Sequence, residues 1–268
     1  MVEVVGEAEN TEKKKKVVAV FCANGGIGNE TVKDLVAEME RTGEEIEIRL
    51  LARDKNVILG LTGEILEAYP NANLDLSYLL RDENHYQWNP KDISSAKEAL
   101  AGVDKVLIPG GTPRKQKTDG TYPDRSELIG LNTDMITPMA QAVAEFAPRG
   151  TEVLLLTNPV GNAVTGVQAK ITEVYIEQGV LESDLPKYQV KGMGGTLDQS
   201  RFRNFIAKEL NERLELKGKD RILPKDVAAR VYGAHSDFMV PDFASIEIDH
   251  KGKTFSFDGI LAKYERNT

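Results

Sequence analysis

The stretch "KVVAVFCANGGIGNETVKDLVAEMERTG", residues 16 to 43, limits the possible folds more than any other part of the chain. Its opening "KVVAVFCA" is a continuous run rich in β-branched residues, the pattern of a strand covered on both faces inside a parallel sheet. A glycine turn follows, then an amphipathic stretch that closes at Gly43, where a glycine commonly ends a helix. Together these make one strand-loop-helix unit. A unit of this kind cannot bury its strand alone, so more of the same is expected downstream.

The expectation is met along the first half of the chain. "EEIEIRLLA" (44 to 52) is the next strand. "SSAKEALAGVDKVLIPGG" (94 to 111) reads as helix, tight turn, strand and glycine-bearing exit; "TDMITPMAQAVAEFAP" is a helix and "TEVLLLTNP" (151 to 159) another buried strand. Strands alternating with helices at this spacing predict an α/β fold, a Rossmann-type doubly wound parallel sheet. Residues 55 to 93, with Tyr, Trp and Asn gathered near "DENHYQWNP", show no period that assigns an element. After Asn158 the pattern changes to long helical stretches, "GNAVTGVQAKITEVYIEQ" and "LDQSRFRNFIAKELNERLEL", and two β-like runs close the chain. The reading is a disordered tail at 1–15, a dinucleotide-binding domain at 16–157 and an α+β substrate domain at 158–268, with a cleft between the two domains.

Composition narrows the function classes. A chain of 268 residues that is 41% hydrophobic buries a substantial core. The net charge of −8 argues against a general nucleic-acid binder, which needs a basic face for phosphates. No stretch approaches the roughly 20 apolar residues of a membrane span. One cysteine, Cys22, and the lack of a secretory h-region point to a reducing compartment, with cytoplasm the expected location. No metal site is expected.

The glycine loop "CANGGIG" places Gly25, Gly26, Ile27 and Gly28 between a strand and a helix. Glycine there lets backbone approach a pyrophosphate, and the helix N-terminus supplies donors and partial positive charge. Cys22 stands where the first glycine of such a loop is usual. Past the second strand, in "RLLARDKN", an NAD site wants an acid for the ribose hydroxyls. If Ala52 holds that place, Arg53 faces a 2′-phosphate and favours NADP; a shift of one residue restores Asp54. Arg53 reads equally well as a solvated charge at a strand end.

Four separated segments, "CANGGIG", "GGTPRK" with "DRSEL…N", "TNPV", and the pair "GGTLDQSRFR" and "YGAHSDFMVP", resemble the lactate/malate dehydrogenase family, nearer its malate branch. They run in unchanged order from about residue 17 to 241. The resemblance implies an NAD(P)-dependent oxidoreductase that moves a hydride between nicotinamide and a 2-hydroxy or 2-oxo dicarboxylic acid, malate and oxaloacetate first. It implies that His235 is the proton donor and acceptor and Asp198 the carboxylate that orients it. It implies that Arg201 grips the substrate C1 carboxylate, Arg114 holds the second carboxylate, and Arg125 polarises the reacting carbonyl from a mobile loop. Asn132 and Asn158 match positions that contact substrate or nicotinamide. NAD is the cofactor by resemblance, with NADP left open by Arg53, and a homodimer or homotetramer is the implied assembly.

The residue types suit that chemistry. Reducing a 2-oxo acid needs a proton for the carbonyl oxygen, so a group titrating near neutrality is wanted, and histidine is one. A carboxylate on its far nitrogen fixes the tautomer and favours the imidazolium. A carboxylate substrate is best held by the planar fork of an arginine. A plainer reading of Asp198 and Arg201 is an i, i+3 pair at a helix start, with Asp198 complementing the helix dipole.

Some features depart from the family. "QKTDGTYPD" is longer and more polar than the usual closing loop, Gly161 stands where malate enzymes usually carry Asp, and Ala234 and Ser236 flank the histidine where Glu and Gly are frequent. The family normally continues for tens of residues beyond Thr268, into a helix that lines the substrate pocket. These departures keep a second expectation alive: a non-catalytic or weakly active paralogue that binds a dinucleotide or a dicarboxylate.

Overall fold

The computed structural model describes residues 15–44, 46–69, 82–187, 189–233 and 238–265. The tail expected at 1–15 therefore lies, Lys15 apart, outside the described residues. Six strands, β1 (Lys16–Phe21), β2 (Ile46–Ala52), β3 (His85–Gln87), β4 (Lys105–Ile108), β5 (Glu152–Leu155) and β6 (Val190–Gly192), form one all-parallel sheet in the order β3-β2-β1-β4-β5-β6. This is the doubly wound order, and its direction reverses between β1 and β4.

Helices α1 (Gly26–Thr42), α2 (Lys55–Ala68), α3 (Lys97–Leu100), α4 (Arg125–Phe146) and α5 (Val160–Glu177) belong to this sheet. Alternate residues of β1 enter two different cores, as the period-2 geometry of a strand requires. Val18 and Val20 pack with Val32 and Val36 of α1 and with Ile58 and Ile65 of α2. Ala19 and Phe21 join the core that includes Ile136 and Val143 of α4 and Ile171 of α5. Full burial of a Val, Ile or Phe side chain contributes about 1.5–3 kcal/mol, so the β-branched run of β1 anchors both layers.

Two parts of the sheet go beyond the sequence reading. The unassigned residues 55 to 93 contain α2 and β3, and β3 is only three residues long, too short for an alternation to show. The sheet also extends past residue 157: α5 and β6 both follow the point where the sequence pattern changes, and β6 pairs with β5 from Val153 with Val190 to Leu155 with Gly192. Long-range pairing recruits this strand, whose own three residues carry little strand signal.

A second layer follows. Strands β7 (Val227–Tyr232), β8 (Val240–His250) and β9 (Lys253–Ser256) make an antiparallel sheet, with α6 (Gly194–Arg213) packed on β7 and α7 (Phe257–Glu265) against β8 and β9. Its core is Ile206, Leu210, Val227, Ile246, Ile248 and Ile260. The closing run "FASIEIDHKGKTFSF" is thus a hairpin, turning at Lys251 and Gly252, both with positive φ (53° and 73°), the geometry that matches strand twist in a two-residue loop. Among the described residues no helix is long and apolar enough to cross a membrane.

The start of α1 sets the clearest test of packing. A Cβ on Gly28 would lie 2.1 Å from the carbonyl oxygen of Cys22, whereas one on Gly63 inside α2 meets nothing within 4 Å. Gly28→Ala is expected to lower stability by about 1–3 kcal/mol, because backbone must yield. Gly63→Ala is expected to raise it by about 0.5–1 kcal/mol. Chemical denaturation of both variants beside the parent measures the difference.

Candidate active site

The turn between β1 and α1 is built by backbone geometry. Cys22 adopts φ 52°, the left-handed conformation that a glycine adopts freely, so the cysteine has taken over the shape of the residue usual there. Its carbonyl accepts from the Gly25 N–H at 2.9 Å and lies against Gly28. Gly25 is the N-cap of α1; no side chain caps the helix, and its first turn holds no acid. The leading N–H groups of α1 thus receive no side-chain cap, a setting that suits an anion.

A cleft of about 540 Å³ opens at the carboxyl ends of the strands, where the strand order reverses. Gly25, Gly26, Ile27 and Gly28 line it from the β1 side, Arg53 from the end of β2, Trp88 from the end of β3, and Gly110 and Thr112 from the end of β4. The structure thus gathers five of the residues expected to hold a cofactor. It also resolves the register after β2. Ala52 is the last strand residue, Arg53 comes next on the cleft wall, and the carboxylate of Asp54 accepts from the Asn56 N–H at 2.9 Å as the N-cap of α2.

Sequence reasoning missed Trp88, which sat in the unassigned stretch. Its ring is 2% exposed and meets Phe21 edge-on at 5.1 Å, and its backbone N–H donates to Ala52 at 2.7 Å, continuing the β2–β3 ladder. The indole N–H is buried without a hydrogen-bond partner among the described residues. Cys22 also lines the cleft. Burial pushes its thiol above the usual range, and the nearby Arg53 charge opposes this only in part.

Asn132 and Asn158 also meet. The buried Asn132 side chain accepts from the Thr112 N–H at 2.6 Å and donates to the Asn158 carbonyl at 2.5 Å, so it joins the exit of β4 to the exit of β5. Both its amide ends are engaged with backbone, which makes Asn132 a positioning residue in this state of the chain. The hydroxyl of Thr157 donates to the Gly110 carbonyl and reinforces the same junction. Asn158 precedes a cis peptide bond to Pro159 and lines a second, mainly apolar cavity of about 400 Å³ with Ile27, Met193, Gly194, Leu197 and Ser200. Ile27 belongs to both cavities, so the two adjoin.

The first turns of α6 form one wall of this second cavity. Arg201 lies one turn beyond Leu197 and shares its helix face. Asp198 and Arg201 diverge: the Asp198 side chain is 5% exposed and that of Arg201 67%, with 3.9 Å between carboxylate and guanidinium, too long for a hydrogen bond. An exposed helix pair does not require a buried acid. His235 lies outside the described residues, in the segment 234–237. That segment begins beyond β7, the strand packed on α6, and its flanks approach closely: a Cβ on Gly233 would be 2.7 Å from the Phe238 carbonyl oxygen.

Arg114 and Arg125 line neither cavity. The Arg114 Nε donates to the Pro123 carbonyl at 3.1 Å, and its guanidinium sits 5.9 Å from the Tyr122 ring centroid, so it folds back on its own loop. Arg125 is exposed at the first position of α4, just after Asp124, which forms a reciprocal cap with Glu127. Lys117 reaches across the loop to Glu127 at 2.7 and 2.8 Å. The loop expected to be mobile is here tied to the first turn of the helix that carries Arg125.

A family model described as lactate/malate dehydrogenase, NAD binding domain, matches residues 16–180. The chain belongs to the lactate/malate dehydrogenase family. Solved structures similar to it include a malate dehydrogenase of Cryptosporidium parvum (22% identity, TM-score 0.58) and one of Naegleria fowleri (17%, 0.60). A third is a lactate dehydrogenase of Trichomonas vaginalis in complex with NADH and oxamate (18%, 0.56). The similarity covers 94%, 95% and 90% of this chain but 63%, 66% and 62% of theirs, so the chain spans less than two thirds of these proteins' length.

The family's NAD-binding fold and the residues present agree on a dinucleotide. The glycine cradle that a Cβ would fill, the uncapped N-terminus of α1 and the orphaned Trp88 N–H all belong to the walls of one cleft. Two outcomes check this site. Asn132→Ala is expected to lose about 2–4 kcal/mol, because it strips two backbone groups of their partner, and calorimetric melting reads the loss. Cys22, with its thiol kept protonated by burial, is expected to alkylate more slowly than a free thiol at neutral pH. The sign follows from the raised pKa: stability from the buried thiol is full below the ordinary thiol pKa and is lost as pH rises through the folded value. Labelling across alkaline pH should therefore accelerate later than for a model thiol.

Proposed function

We propose that this chain is a nicotinamide-dinucleotide-dependent dehydrogenase acting on a 2-hydroxy/2-oxo dicarboxylic acid, with malate and oxaloacetate as its pair. The observation that carries the reading is the glycine-lined cleft at the reversal of strand order, joined through Ile27 to a second cavity walled by the helix that bears Asp198 and Arg201. The second cavity has room for a small acid, and the Trichomonas vaginalis lactate dehydrogenase was solved in complex with NADH and oxamate.

When bound, the nicotinamide supplies or takes up the hydride. The chain's own residues do the rest. Arg201 holds the substrate C1 carboxylate through two parallel charge-assisted bonds, and its exposed guanidinium on the Leu197 face, only loosely paired with Asp198 at 3.9 Å, supports that role. His235 gives a proton to the carbonyl oxygen in reduction and takes one from the hydroxyl in oxidation. Asp198, buried on the same helix, orients the imidazole and favours its charged form. Arg114 receives the second carboxylate and Arg125 polarises the carbonyl once the loop they flank has moved. Separation from the Pro123 carbonyl and from Tyr122 frees Arg114, and a break of the Lys117–Glu127 contact releases the loop. The proposed assembly is a homo-oligomer and the proposed location the cytoplasm.

One observation favours a second reading. Arg114 is engaged with its own loop, which suits a paralogue that binds the dinucleotide and turns over slowly or not at all. Oxidation of reduced nicotinamide, followed by absorbance with oxaloacetate, decides between them: turnover supports the enzyme, and cofactor binding with no turnover across a panel of 2-oxo acids supports the binder. Within the enzyme reading, Arg201→Ala is expected to cut kcat/KM about a hundredfold or more. His235→Ala turning over as fast as the parent would remove the assigned proton donor.

A further inference from the structure

The proposal that the cleft takes a nicotinamide dinucleotide leaves its 2′ end unassigned. We infer that the site is built for the 2′-phosphorylated form, NADP(H), with Arg53 as the specificity-determining residue. The inference rests on the dinucleotide reading above and on three features of the β2 exit.

An unphosphorylated ribose presents two hydroxyl donors at the end of the second strand and is recognised by a carboxylate acceptor there. Among the described residues that line the cleft no carboxylate stands in that place. The strand ends on Ala52, whose side chain is a methyl and whose carbonyl is taken by the Trp88 N–H. The nearest acid, Asp54, is absent from the cleft wall, and its carboxylate is spent on the first turn of α2. The described cleft wall therefore presents no carboxylate to the diol.

The wall offers a donor instead. Arg53 is the only charged residue among the described residues that line the cleft, in a chain whose net charge is −8. It is exposed and makes no hydrogen bond or ion pair among the described residues, so its fork of N–H groups is uncommitted. Its charge also acts on the thiol of Cys22, another residue of the cleft wall. A guanidinium in this position meets a doubly charged phosphate with parallel, charge-assisted bonds and gives nothing comparable to a neutral diol.

The test uses the intact chain and reads binding, since Trp88 is its single tryptophan and lines the cleft. NADPH and NADH are titrated by quenching of Trp88 emission and by calorimetry. Adenosine 2′,5′-bisphosphate and adenosine 5′-monophosphate are then used as competitors to isolate the 2′-phosphate. NADPH is expected to bind at least about tenfold more tightly than NADH, with the same order among the competitors. In R53Q the preference should fall to within about twofold, chiefly through weaker NADPH binding, and a thermal melt like the parent's shows that the fold is intact. Raised salt should shrink the preference in the parent. Tighter or equal binding of NADH by the parent, or a phosphate preference that survives in R53Q, overturns the role of Arg53 and leaves the dinucleotide reading standing. A folded chain that binds neither nucleotide nor competitor overturns both.

Discussion

The approach of α1 to the end of β1 is the constraint on which the rest of this molecule depends. The carbonyl of Cys22 lies against Gly28 with no room for a Cβ, and this lets the helix begin immediately beside the strand end. Any side chain at Gly28 would lift the helix N-terminus away from the cleft and loosen its packing through Val32 and Val36. The same contact therefore serves both packing and the cleft: it seats one of the helices that cover β1 and sets the uncapped start of that helix on the cleft wall. Cys22 shows that the backbone shape matters more than the glycine usual at that place, because a cysteine held at positive φ reproduces the turn.

Around this turn, the carboxyl ends of four strands supply one functional element each. The glycine loop follows β1, Arg53 follows β2, Trp88 follows β3 and the Gly110–Thr112 run follows β4. Parallel strands make this possible, since all of their carboxyl ends face the same edge of the sheet. Asn132 then locks the exits of β4 and β5 together from within α4, so the cofactor cleft and the neighbouring cavity keep a fixed relation. The second layer contributes one helix, α6, on which the buried Asp198 and the exposed Arg201 are neighbours three residues apart, 3.9 Å between their charged groups.

Much of this was legible in the chain because it is local. The β1 run, the glycine turn and Gly43 at the end of α1 all lie within one strand-loop-helix unit, where apolar period and turn chemistry speak directly. The alternation of such units was enough to read the doubly wound sheet, and the ordered motifs were enough to read the family. What stayed hidden was non-local or short. The three-residue strands β3 and β6 hold their places through pairing with β2 and β5, and Trp88 enters the cleft only because β3 delivers it there.

The sequence by itself determined the class of fold, the glycine cradle and the set of charged residues proposed for a 2-oxo acid, because each depends on residue type at short spacing. Tertiary structure alone decided which of Arg53 and Asp54 faces the cleft, since that turns on where β2 stops and on which side chain the first turn of α2 claims as its cap. It also decided that Arg114 rests on its own loop and that Asn132 serves as a clamp. In each case several hydrogen-bond partners compete for one polar side chain, and only the folded chain, by bringing those partners within 3 Å or so, selects the winner.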